Sequence, residues 1–157
     1  MRVTGVALAL SLALAGCRSS TPVTPPPVRG HGAISIEIVP NPIVARRLTG
    51  NTFEFPFDLV VKETGGHAVQ ITRVEVIVYA PGGFPVGSDT WDAERLRATG
   101  TSTTIEALSE ARYHFSQEKE VPNEHLLSGV SAQLRVEGTD DTSAATTATT
   151  RVTVSRR

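Results

Sequence analysis

The sequence predicts an all-β chain, an antiparallel β-sandwich of about seven strands behind a signal peptide and a Pro-rich tether. Three observations carry that prediction. Apolar residues recur at every second position from Ala33 onward, Gly/Pro/Asp clusters separate the runs, and no sustained helical period appears. The chain has 157 residues, enough for one domain with a real core beyond the leader.

Residues 1–16 open with Met1 and Arg2, continue through the apolar run VTGVALALSLALAG and end on the small residues Ala15 and Gly16. A charged start, a short apolar stretch and a small-residue exit make a secretory signal peptide. A spanning helix needs about 20 apolar residues, and here Arg18 and a Ser/Thr/Pro stretch close the run early.

Cys17 is the chain's one cysteine and follows this run directly. An ordinary cleaved leader would leave it as a lone free thiol in an oxidising compartment, an awkward leftover. The residues Leu14-Ala15-Gly16-Cys17 resemble the lipobox of bacterial lipoproteins. That resemblance implies a diacylglyceryl group on the Cys17 thiol, cleavage before Cys17 and acylation of its new amino group, palmitate being the expected kind of chain. Each buried methylene contributes about 0.8 kcal/mol, so two or more chains hold firmly where one does not. The lipoprotein family uses an aspartate after the cysteine for inner-membrane retention. Arg18 stands there instead, which favours the outer membrane in an organism that has two.

Residues 17–32 form the anchored tether. RSSTPVTPPPVRGHG holds nothing that could build a core and reads as a semi-rigid spacer of about 3.1 Å per residue. Loss of residues 1–16 removes one of the chain's 15 basic residues and none of its 16 acidic ones, leaving a net charge of −2. That balance excludes a strong electrostatic case for nucleic acid and offers no polybasic patch for anionic lipid.

The domain covers residues 33–157. Ile34, Ile36 and Ile38 alternate with polar residues, as do Phe53 to Val61, Val74 to Val78, Val130 to Val136 and Ala148 to Val154. Such alternation buries one face of a strand and wets the other. VPNP, ETGGH, APGG and EGTDD supply the turns between runs. DAERLR, residues 92–97, has room for one helical turn. Pro56 interrupts FEFPFDLVV and marks an edge strand or a bulge, because proline cannot donate to a central ladder.

The segments VKETGGHAVQITRVEV, ATGTSTTI and RVEGTDDTSAATTATTRVTV resemble bacterial immunoglobulin-like or fibronectin type III-like domains in strand rhythm and turn wording. The resemblance implies an Ig-like β-sandwich. It departs from the antibody pattern: no cysteine pair bridges the sheets, no tyrosine precedes VSAQLRVEG, and Trp91 follows GSDT. A fold of this kind hosts many functions and transfers none.

Candidate chemistry is sparse. SQEK, Ser116 to Lys119, matches a serine-x-x-lysine spacing, but that chemistry needs a helix start, and RYHF before it reads as strand. His31, His67, His114 and His125 form no close pair of the kind a zinc site uses. Asp140-Asp141 and the Asp89/Asp92 pair lack the dense oxygen spacing of a calcium loop and read as turn residues. No catalytic residues, metal or cofactor are expected, and no enzyme. In PGGFPVGSDTWD, Phe84 and Trp91 are candidate partner contacts, since loop aromatics on a rigid scaffold anchor ligands, although the segment could equally cap the core. The expectation is a lipid-anchored cell-envelope protein that presents its domain to bind a partner or support an assembly, with an envelope protein as the possible partner. The alternative is a surface spacer or coat lipoprotein.

Overall fold

The structure, a computed structural model, describes residues 30–156, so the segment read as a signal peptide, Cys17 and the part of the expected tether up to residue 29 lie outside it. The chain is all-β. Nine strands run through the described residues: β1 (Ile34–Val39), β2 (Ile43–Arg47), β3 (Thr52–Glu63), β4 (Val69–Tyr79), β5 (Pro85–Asp92), β6 (Thr104–Ile105), β7 (Glu110–Glu120), β8 (Ser131–Asp140) and β9 (Ala145–Arg156). One short helix, α1 (Ala93–Arg97), follows β5, and a single 3-10 turn spans Glu124–Leu127. The expected helical turn in DAERLR is therefore present, N-capped by Asp92, whose Oδ1 accepts from the Arg95 N–H at 2.8 Å.

Two ladders dominate. In one, β3 lies between β7 on one side and β1 followed by β2 on the other. The second runs β5-β4-β8-β9, with β6 taking over the free end of β4. Their inner faces meet in one core. Phe57 of β3 stacks on Phe115 of β7 with centroids 5.2 Å apart, and Phe115 lies 4.8 Å from Trp91 of β5. Val74, Leu134, Val136 and Tyr113 complete its centre, all fully buried.

Two details correct the sequence reading. There are nine strands rather than about seven, and the pairing is not wholly antiparallel. β2 pairs antiparallel with β3 at Arg46 and Arg47 but parallel with β9 at Ile43–Ala45, and so joins the two ladders. Pro40 and Pro42 cause the switch, because they end β1 and divert the chain before β2 starts. Pro56 then falls into place. It is in the middle of a long strand, but it lies opposite the β1/β2 break, where that flank of β3 has no partner between Phe53-Glu54 and Asp58.

The long strands give the domain two poles. The end of β3, the starts of β1 and β4, and the end of β8 gather where the tether enters at Gly30–Gly32. The start of β3, the end of β4 and the start of β8 form the opposite, distal pole. From Glu63 back to Phe53 is ten residue steps, roughly 33 Å at strand rise.

Candidate functional site

The distal half of the β5/β7 side is open, and the sequence of those two strands opens it. On β5, the residues opposite the inward Val74, Val76 and Val78 are Trp91, Asp89 and Gly87. Only Trp91 fills the core. Gly87 has no side chain, and the Asp89 carboxylate is drawn aside to the Arg95 guanidinium at 3.0 Å. On β7, buried Tyr113 and Phe115 give way along the same face to Gln117 and Lys119. Beyond the Trp91–Phe115 contact the inward positions of neither strand supply an apolar side chain, and the ladders part around a cleft of about 540 Å³. Phe55, Phe57, Val76 and Val78 form its floor, and Leu127 and Pro122 close its end.

The other half of this side is sealed. Leu96 of α1 and Ile105 of β6 are buried in the core, and the Tyr113 hydroxyl donates to the Ser102 carbonyl at 2.9 Å. Burial pushes the Tyr113 pKa up to about 12. The cleft thus begins where this cover stops.

Exposed apolar residues line the opening, Val86 at 63% and Leu126 at 51% exposure, while Phe84, at 70%, stands outside its lining. The structure separates the two aromatics singled out in the sequence. Phe84 is in the turn before β5 and faces solvent. Trp91, read as a loop residue, lies in β5 at 4% exposure, packed on Phe115 with the Arg95 guanidinium 5.1 Å from its ring centre. Trp91 meets the cleft only as its inner wall. Sequence reasoning missed Val86, Gly87 and Leu126. β5 reads PVGSDTWD, with no apolar alternation to announce a strand, and the available signal was Gly87 in phase with Trp91.

The tether pole has a different chemistry. Asp140, read as a turn residue, is a buried carboxylate that accepts from the Thr142 hydroxyl at 2.7 Å and from the backbone N–H groups of Gly32, Thr142 and Ala144 at 2.7 to 2.9 Å. Those bonds, the Thr142 hydroxyl foremost, hold its pKa far below the usual carboxylate range against the opposing effect of burial. Glu63 is likewise buried and accepts from the N–H groups of Ala33, Gly65, Gly66 and Leu108. Burial alone would raise its pKa, but the four backbone donors together lower it. Gly65 is packed so closely that a Cβ there would sit 2.2 Å from the His31 carbonyl oxygen. These contacts fasten the point where the tether joins the domain.

The remaining candidates do not converge. Ser116 and Lys119 lie on β7, three residues apart in a strand and hence on opposite faces, and the Ser116 hydroxyl donates to Glu54 at 2.6 Å. His67 pairs with Asp141 at 2.9 Å and His114 with Asp58 at 2.8 Å. Among the described residues no three His, Cys, Asp or Glu side chains come together as a metal site requires. Cys17 lies outside the described residues.

No family model matches the chain, and no curated protein matches it. Solved structures do. Target SoR45 of the Northeast Structural Genomics Consortium aligns with a TM-score of 0.53 at 9% identity, over 81% of this chain and 89% of that one. Spo0M, a sporulation control protein from Bacillus subtilis, aligns with a TM-score of 0.41 at 11% identity, over 82% of this chain. The alignment spans about half of the Spo0M chain, 51%. The first likeness is one of fold alone.

Proposed function

We infer that this protein is a lipid-anchored module of the cell envelope, an Ig-like β-sandwich held to the membrane through Cys17 and presenting its distal pole to a protein partner. The observation that carries the binding role is the apolar cleft between β5 and β7, open at the distal pole and lined at its mouth by the exposed Val86 and Leu126, with exposed Phe84 in the turn before β5. A contiguous apolar opening of this kind marks an interaction site more often than an accident of packing. The mechanism is localisation plus recognition, with no covalent step. The Ig-like reading rests on the two facing ladders and on β2, which leaves one ladder to run parallel with the last strand of the other. The anchor rests on the lipobox-like residues 14–17. A spacer would be served equally by the fastened tether pole, but it gives no reason for an open cleft.

Fractionation and mass spectrometry of the protein expressed in its own host test this. The mature chain is expected to start at Cys17 and to carry the mass of its acyl chains, and Cys17→Ser is expected to leave the membrane fraction. A chain that stays in the membrane after that substitution, or carries no lipid mass, removes the anchor from the account.

A further inference from the structure

We propose that the distal cleft receives an extended peptide segment of a protein partner, which adds as a strand along the outer edge of β5 and turns alternate apolar side chains into the space beside Gly87. This rests on reading the chain as a binding module and names the chemistry of its partner.

The edge decides the form of the occupant. The Thr90 N–H donates to Asp89 at 2.8 Å and its carbonyl accepts from Arg95 at 2.8 Å, so the backbone of Thr90 faces away from β4. Antiparallel strands repeat this orientation every second residue, which places the N–H and C=O of Ser88 on the same outer edge. The side chains of Asp89 and Arg95 cover the edge at Thr90 and leave it uncovered at Ser88. An incoming strand finds its hydrogen-bonding partners there, and its inward side chains enter the cleft at the two-residue period of the sheet. The inward β5 position next to that edge is Gly87, where a Cβ would meet nothing within 4 Å.

Charge indicates the rest of the segment. Asp89 is matched by Arg95, and Glu124 by Arg47 and Arg156. Lys119, on the inward set of β7 at the rim of the cleft, makes no ion pair among the described residues. Glu120 reaches the same rim but belongs to the outward set. An acidic group in phase with the apolar residues of the partner segment therefore meets the Lys119 ammonium.

The test uses the full chain from residue 17 onward carrying Cys17→Ser and three capped peptides. The first is Val-Thr-Val-Thr-Val-Thr-Asp, the second has the same composition with its valines consecutive, and the third has Lys in place of Asp. Calorimetry is expected to show the alternating acidic peptide binding at least about ten-fold tighter than the scrambled one. The Lys peptide should bind about three-fold weaker at low salt, with that difference lost in Lys119→Gln. Exchange of the Ser88 amide should slow in the complex. Gly87→Val should leave the melting temperature intact and abolish binding, because its Cβ enters open space that the partner's side chain would otherwise take. Equal binding of the scrambled peptide, or binding without Ser88 protection, overturns strand addition. So does saturation of the cleft by dodecanoate with no peptide bound, which reassigns it to small amphiphiles. Absence of all binding overturns the strand mode alone, since a partner crosslinked to the distal pole in cells would leave the binding module standing.

Discussion

Trp91 and Phe84 differ by seven positions in the chain and by almost the whole range of exposure, and their substitutions should differ accordingly. Trp91→Ala removes a buried ring from its contact with Phe115 and should cost about 4 kcal/mol by chemical denaturation. Phe84→Ala should change stability by less than about 0.5 kcal/mol. Similar losses for both would contradict the split. At the tether pole, Glu63→Ala leaves four backbone N–H groups without their acceptor and should cost about 3 kcal/mol. Both Glu63 and Asp140 have folded pKa values below their ordinary ones, so each binds protons more weakly folded than unfolded. Their contribution is complete above the ordinary carboxylate range, about 4, and declines as the pH falls toward the lowered folded values. Melting temperature should therefore drop from pH 4.5 downward, and Asp140→Asn should flatten that drop. An unchanged profile in Asp140→Asn would place the acid sensitivity elsewhere.

Among the elements, those with one apolar and one polar face were legible from sequence. β1, β3, β4 and β8 follow the alternation of Ile, Phe, Leu and Val that their burial requires, and β9 shows it in Ala148, Val152 and Val154 between threonines and Arg151. β2, only five residues between Pro42 and a turn, carried too little pattern to be seen. β5 and the distal end of β7 were hidden for a different reason. Their inward positions hold Gly87, Asp89, Gln117 and Lys119, residues that do not fill a core, and alternation cannot report a face that packs against nothing. The feature that concealed these strands is the one that opens the cleft. Gly87→Val restores the missing alternation and should be neutral or slightly stabilising in a melt, since Gly weakens strands relative to β-branched residues. A clear loss of stability there would mean that the cleft is not open space.

At the scale of the whole molecule, tether and cleft lie at opposite ends of strands roughly 33 Å long. If Cys17 holds the chain to lipid, the contacts of Glu63 and Asp140 secure the pole nearer the anchor, and the cleft lies toward the other pole. The account then predicts where a partner touches the protein. The most direct test places a photo-crosslinking residue at position 86 or, separately, at position 142 in the full-length chain and irradiates living cells. The account predicts one defined protein adduct from position 86, lost in Gly87→Val, and none from position 142. Adducts from 142 alone, or the same adducts from both positions, would contradict recognition at the distal pole.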